Sequence, residues 1–181
     1  ATLLKTLADD LNARGLNLVD STTYLKDHLA TAGVCTTRRP TADESGDVSF
    51  GWPLLTRTSE LEIGQAIAVR QRDVISVEAV EGTDRMIART AELCPRGGWT
   101  LLKTASPTHD TRSDVPTIGE RTIRNAAEAG CTCIALGAGR VILADRPKVI
   151  AAADAAGIAI VGIVTAFASS VLANVSTVIA I

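Results

Sequence analysis

Helical and strand patterns of apolar residues interleave along the chain. Near the N-terminus, leucines recur at spacings of three and four with charged residues between them, and Gly15 follows. This spacing predicts an amphipathic helix over residues 3–14, ended by the glycine. Residues 17–20 predict a short strand, and residues 24–29 a second helix. The N-terminal piece is therefore expected to contain helices and one strand.

The remainder of the chain predicts alternating strands and helices after a polar segment. Residues 37–47 carry arginines, acids, a proline and a glycine, which is typical of a linker or surface loop. Residues 65–69 and 74–80 flank a polar turn and predict a hairpin. The other predicted elements are helices at 49–61, 83–93, 118–129 and 146–156, and strands at 99–104, 132–136, 141–143 and 158–163.

These elements predict an α/β fold. The strands are nearly continuous in Ile, Val, Ala and Leu, which indicates a mixed sheet covered by helices on both faces. We expect a single compact domain with a short N-terminal helical and strand piece. Its parts are an N-terminal segment at 1–36, the linker at 37–47, a catalytic-type domain at 48–163, and an apolar tail at 164–181.

The tail carries no charge, and its valines and phenylalanine fall at helical spacing. We expect a terminal helix that packs on the core or on a partner subunit. Serines, an asparagine and a threonine interrupt the run, so a membrane span is the weaker interpretation and contact with a membrane surface the other alternative.

Composition narrows the possible partners. The net charge is −2 and aromatic residues make up 3% of the chain, so neither a basic field nor a base-stacking surface is present. We therefore expect no nucleic-acid partner. Cys131 and Cys133 alternate along a strand and should act as small apolar residues on one face, not as zinc ligands. The N-terminal residues lack the long apolar core of a secretion signal, so we expect the cytoplasm.

Two clusters place acidic residues where strands give way to helices, where α/β proteins build their sites. In the first, Glu78 and Glu81 lie near a strand end, Gly82 allows a tight turn, and Thr83 is predicted to cap the next helix. Backbone N–H groups there can hold phosphate and the carboxylates a cation. The alternative is a capped helix with solvated acids.

The second cluster follows the strand that ends at Lys103. Thr117 and Glu120 have the spacing of a capping box, so a helix is predicted to start there, with Asp114 immediately upstream. A carboxylate at that place can bind magnesium or activate water, and Lys103 and Arg112 can offset phosphate charge. Ordinary surface polarity is the alternative.

A third cluster is the glycine-rich turn that ends at Arg140. It lacks the third glycine of a dinucleotide motif, so a close backbone turn with Arg140 facing a site is the better interpretation.

Several strings together resemble a known family. The sequence resembles the UDP-2,3-diacylglucosamine pyrophosphatases of the lipid A pathway in their magnesium-dependent I-type form. The strings are Glu62-Ile-Gly-Gln65, Val77-Glu-Ala-Val-Glu-Gly-Thr-Asp84, Lys103 with Pro107, Thr111-Arg-Ser-Asp-Val-Pro-Thr-Ile-Gly119, Gly139-Arg140 and Asp145-Arg146.

The resemblance implies a reaction. Family members hydrolyse the pyrophosphate of UDP-2,3-diacylglucosamine by attack of water on the α-phosphorus, giving UMP and 2,3-diacylglucosamine 1-phosphate (lipid X). The family's essential aspartate corresponds to Asp114, expected here as the catalytic residue and a ligand of Mg²⁺ or Mn²⁺. Glu81 and Asp84 are the further metal candidates. The expected substrate-binding residues are Gln65, Thr83, Lys103, Arg112, Thr117, Gly119 and Arg140.

The resemblance also implies an arrangement in the cell. Family members carry a further N-terminal domain, so we expect the chain to be the C-terminal part of a longer enzyme, whose activity is incomplete without that domain. The substrate would bring the protein to the inner-membrane surface, and we expect a homodimer. The alternative function is a non-catalytic module that binds a nucleotide sugar or lipid, or that dimerises.

Overall fold

A six-stranded mixed sheet organises the chain in the computed structural model, which describes residues 2–106, 112 and 115–164, of residues 2–5 the backbone only. The helices are α1 (Thr2–Ala13), α2 (Ala42–Glu60), α3 (Thr83–Leu93), α4 (Glu120–Glu128) and α5 (Arg146–Ala155). The strands are β1 (Gly33–Val34), β2 (Ala66–Arg70), β3 (Asp73–Val77), β4 (Trp99–Lys103), β5 (Thr117–Ile118), β6 (Cys131–Gly137), β7 (Ile142–Leu143) and β8 (Ala159–Ile163).

The strand order in the sheet is β1-β8-β6-β4-β2-β3. The three central strands β4, β6 and β8 are parallel, and β2, β3 and β1 are antiparallel to their neighbours. A separate parallel pair joins β5 to β7. The carboxyl ends of the parallel strands therefore share one edge of the sheet, where β2 begins and β3 ends.

Helices cover both faces of the sheet, which confirms the predicted α/β class. On one face, Val48, Trp52 and Leu55 of α2 form a core with sheet residues that include Ile67 and Leu102. On the other face, the buried side chains of α3, α4 and α5 join a larger core around Trp99 and its neighbours. Burial of these side chains provides the main favourable term for folding.

The predicted hairpin is confirmed as β2 and β3. Its two turn residues, Gln71 and Arg72, have φ of 54° and 59°, the conformation of the two-residue turns that match strand twist. The backbone N–H of Arg72 donates to the buried carboxylate of Asp47 at 2.7 Å. Helix α2 therefore fixes the turn as well as the sheet face.

The linker predicted at 37–47 is wrong over its second half, because α2 begins at Ala42 and not at Ser49. Thr41 and Glu44 form a capping box: the Glu44 N–H donates to the Thr41 hydroxyl at 3.2 Å, and the Thr41 N–H donates to the Glu44 carboxylate at 2.7 Å. Two backbone donors at the helix start are satisfied in this way. The threonine and glutamate spacing in the sequence could have indicated this start.

The first half of the polar segment is held against the sheet by Arg38. Its guanidinium donates to both oxygens of Glu44 and to the carbonyls of Arg39, Thr132 and Gly157. Burial opposes the charged form of Glu44, but the hydrogen bonds from Arg38 and its other neighbours lower the pKa of this carboxyl below its usual value. Arg38 thus joins α2, β6 and the loop before β8.

The predicted common face of Cys131 and Cys133 is wrong, because the pairing of their strand is irregular. Cys131 and Cys133 do not share a face, because a bulge in the pairing of β4 with β6 puts Cys131 in the larger core and Cys133 in the α2 core. Burial raises the pKa of the Cys131 thiol to about 12 and raises that of Cys133 as well.

Two N-terminal predictions are also wrong. Residues 17–20 form no strand, since the Asp20 carboxylate accepts from both the N–H and the hydroxyl of Thr22 and forms a local turn. The helix predicted at 24–29 is only a 3₁₀ turn, Lys26–His28.

The apolar tail from residue 165 onward, with its predicted helix, lies outside the described residues. No helix within the described residues is both long and apolar enough to cross a membrane.

Candidate functional site

The carboxyl edge of the sheet gathers most of the predicted site. Lys103 at the end of β4 pairs with Ala66 at the start of β2 and with Leu136 near the end of β6. The backbone N–H of Glu78, just after β3, donates to the Ala66 carbonyl at 2.8 Å, so Glu78 lies at the same edge. Ligands of α/β proteins bind outside such edges.

A buried chain of polar groups occupies this edge. The Lys103 ammonium donates to the Thr83 hydroxyl at 2.6 Å, and that hydroxyl donates to Glu78 Oε1 at 2.8 Å. Glu78 Oε2 lies 3.9 Å from Lys103 Nζ and accepts from the Gln65 backbone N–H at 3.3 Å. Lys103 is only 4% exposed and Glu78 7%, so the pair is shielded from solvent.

Thr83 is the first residue of α3, and the prediction that it caps this helix is wrong. The cap is Gly82, whose φ of 81° is a backbone conformation that residues other than glycine rarely adopt. The Thr83 hydroxyl is thereby turned toward Lys103 instead of toward the helix backbone. The first-turn N–H groups of a helix lack intrahelical partners and attract anions.

The end of β6 approaches the end of β4 closely. A Cβ on Gly137 would lie 2.2 Å from the Thr104 hydroxyl oxygen, so glycine is required for this contact. The turn continues to Arg140, whose N–H donates to the Gly137 carbonyl at 3.1 Å and whose guanidinium reaches the Ala105 carbonyl at 3.4 Å. Arg140 therefore lies beside the segment that follows Lys103.

The two described metal candidates are each held by an arginine. Glu81 pairs with Arg89 and accepts from the Ala79 N–H at 3.0 Å. A hydrogen bond from its own backbone N–H and one from the Arg89 guanidinium lower the pKa of the Glu81 carboxyl. Asp84 pairs with Arg121 at 2.9 Å.

No group of three or more His, Cys, Asp or Glu side chains able to hold a metal occurs among residues 2–106, 112 and 115–164. In this arrangement the described side chains do not fit a magnesium site. The predicted catalytic residue and metal ligand, Asp114, lies outside the described residues.

The remaining candidates lie around the neighbouring helix α4. Thr117 belongs to β5 and donates its hydroxyl to the Val115 carbonyl at 3.0 Å, so the predicted capping box with Glu120 is wrong. Gly119 is the helix cap instead, because pairing of β5 with β7 extends the chain as far as Ile118.

An ion pair between Asp84 and Arg121 links the first turns of α3 and α4. Arg112, a residue expected to bind phosphate, pairs with Asp9 of α1 at 3.0 Å. The structure brings Gln65, Thr83, Lys103 and Arg140 to one edge of the sheet. Thr117 pairs with Ile142, two residues after Arg140, and Gly119 follows at the start of α4.

Glu78 belongs to the first acidic cluster of the sequence, but it was not among the expected metal or substrate-binding residues, and its contact with Thr83 and Lys103 was not predicted. The sequence carried part of the signal, an acid directly after an apolar strand and a lysine that ends another strand. The burial of the lysine, which requires a carboxylate partner, is seen only in the structure.

The chain is similar to known proteins over most of its length. The family model described as LpxI C-terminal domain matches residues 31–161. The protein named UDP-2,3-diacylglucosamine pyrophosphatase LpxI, from Caulobacter vibrioides, is 33% identical over 168 residues. This alignment covers 89% of the present chain and 60% of the relative, so the chain spans about 60% of the length of the curated relative that it matches.

Proposed function

Because the chain belongs to the LpxI C-terminal domain family, we propose that it hydrolyses the pyrophosphate bond of UDP-2,3-diacylglucosamine in lipid A biosynthesis. The products are UMP and 2,3-diacylglucosamine 1-phosphate. The observation that carries the proposal is the buried Lys103 held by Thr83 at the start of α3, on the carboxyl edge of the sheet.

This edge suits a pyrophosphate. Lys103 ends β4, and Arg140 lies in the turn after the neighbouring strand β6, with its guanidinium at the Ala105 carbonyl. The first turn of α3 adds the positive end of a helix dipole. We propose that these groups, with Gln65 and Gly119, bind the two phosphates. Fixed positive groups of this kind stabilise the charge that develops as the leaving phosphate departs.

We propose that Asp114 activates the attacking water, as the resemblance implies. Support comes from the chain that follows it: the Pro116 carbonyl accepts from the Ile142 N–H at 2.8 Å, and β5 pairs with β7, two residues beyond Arg140. A carboxylate that acts as a general base must be held close to the water it deprotonates.

We further propose dependence on Mg²⁺ or Mn²⁺, a homodimeric state, and contact with the inner-membrane surface through the acylated substrate. A divalent cation would neutralise phosphate charge. The phosphate-binding roles proposed for Lys103 and Arg140 do not depend on a metal held by Glu81 or Asp84, because each of these two carboxylates pairs with an arginine in this structure.

The test is an assay of UMP release from UDP-2,3-diacylglucosamine by the 181-residue chain, with and without EDTA in the reaction. Chromatography measures the UMP formed. We expect release that stops in chelator and with Asp114→Ala. Glu60→Gln is the control, because Glu60 pairs with Arg57 at the surface of α2, and it should leave the rate unchanged. Binding of the substrate with no release of UMP would instead favour the non-catalytic binding module.

A further inference from the structure

We propose that Glu78 is a positioning residue of this site: its carboxylate orients the Thr83 hydroxyl and, through it, the Lys103 ammonium toward a bound phosphate. The proposal rests on the function proposed above. Glu78 itself faces the interior and is not expected to touch the substrate, since its two oxygens are directed at Thr83 and at the Gln65 backbone.

The direction of each hydrogen bond follows from the chemistry of the groups. An ammonium can only donate, so Lys103 donates to Thr83. The Thr83 hydroxyl has one proton, which it donates to Glu78. The Glu78 carboxylate therefore sets the orientation of the Thr83 hydroxyl, so that a lone pair of the hydroxyl oxygen faces the Lys103 ammonium.

The backbone holds Glu78 itself in place. A Cβ on Gly64 would lie 1.9 Å from the Glu78 carbonyl oxygen, so only glycine allows this close approach. The neighbouring Gln65 N–H then reaches the carboxylate at 3.3 Å, and the Glu78 N–H bonds the Ala66 carbonyl at 2.8 Å. The start of β2 thus holds the Glu78 backbone and carboxylate in place beside Thr83.

Stability is a weak explanation for this arrangement. Buried ion pairs lose much of their attraction to desolvation, and well-packed apolar residues often replace them at no cost. A lysine at 4% exposure and a glutamate at 7% are kept at the edge where ligands bind, next to the start of α3. The burial of both residues is explained if Glu78 serves to keep the Lys103 ammonium oriented at that edge.

The test is a double-mutant cycle on kcat/KM for UMP release with Glu78→Gln and Thr83→Val. Each variant should lower kcat/KM about tenfold, the value of one hydrogen bond to a charged group. The double variant should fall no more than about twofold below the weaker single, because both changes break the same chain. Glu92→Gln, an exposed acid on the same helix α3, is the matched control and should leave kcat/KM unchanged.

Effects that multiply, or a folded Glu78→Gln protein with unchanged kcat/KM, would overturn the proposal. If Glu78→Gln fails to fold, Thr83→Ser and Thr83→Val decide: the serine variant, which retains the hydroxyl, should lose much less kcat/KM than the valine variant. Equal losses in both would contradict the role of the hydroxyl.

A calorimetric titration with UMP separates this proposal from the function itself. Should the unmodified chain bind UMP without turning over substrate, the proposed function fails, and coupling of the two variants in the Kd for UMP still tests the positioning. A chain that neither binds UMP nor releases it contradicts both.

Discussion

Replacement of Arg38 by methionine should destabilise the fold through the charge that it leaves behind. The guanidinium makes five hydrogen bonds, two of them to Glu44. The Glu44 side chain is 8% exposed and that of Arg38 is 31% exposed. Removing one partner of a buried pair costs about 3–5 kcal/mol, and the partial exposure of Arg38 favours the lower end, about 3 kcal/mol.

The cost should depend on pH in a defined direction. In the unmodified fold the pKa of Glu44 is lowered, so its contribution to stability is present at neutral pH and is lost as the pH falls through that folded value. Without Arg38, burial should raise the pKa of Glu44 above its usual value of about 4.3, so that protonation then favours the fold. The cost of Arg38→Met should therefore shrink by about 1 kcal/mol between pH 7 and pH 4.5.

Urea unfolding followed by the fluorescence of the buried Trp52 and Trp99 measures these differences. The double variant Arg38→Met with Glu44→Gln should be more stable than Arg38→Met alone by about 1 kcal/mol or more, since it removes the stranded charge. A pH-independent cost, or a double variant less stable than the single one, would refute the reasoning.

Further predictions concern glycines and the reaction. Gly137→Ala should lower the free energy of unfolding by about 1–3 kcal/mol by overpacking against the Thr104 hydroxyl, and Thr104→Ala in the same chain should recover part of it; Gly119→Ala is the control for urea unfolding, because its Cβ would meet nothing closer than 4.0 Å. Gly51→Ala should destabilise the protein in the same assay despite its helical position, since its Cβ would lie 2.8 Å from a Val69 methyl. UMP release should stop in EDTA and return with Mg²⁺ or Mn²⁺; release that continues in chelator would exclude the metal requirement.

The sequence patterns predicted most helices and strands, because turn residues and apolar runs within each element favour its conformation. The turn at Gln71 and Arg72 and the apolar runs of β4, β6 and β8 carry their own signals. The two threonine and glutamate pairs show the limit. Thr41 caps a helix with Glu44, whereas the same spacing at Thr117 fails, because β5 pairs with a strand 25 residues later in the chain, at Ile142. Single-sequence patterns do not contain that distant pairing.

The site divides in a similar way. Thr83, Lys103 and Arg140 were predicted from their positions at strand and helix ends, and the sheet brings them to one edge. The role proposed for Glu78 depends on the close approach of Gly64 and on the burial of Lys103, neither of which is visible in a linear pattern. Arg112 was expected at the phosphate site, but its described ion pair is with Asp9 of α1.

The most direct test of the proposed function is hydrolysis of UDP-2,3-diacylglucosamine by the chain in water enriched in ¹⁸O, with mass analysis of both products. Attack of water on the α-phosphorus predicts one ¹⁸O atom in UMP and none in 2,3-diacylglucosamine 1-phosphate. Label in the sugar phosphate, or no product from a folded chain, would contradict the account.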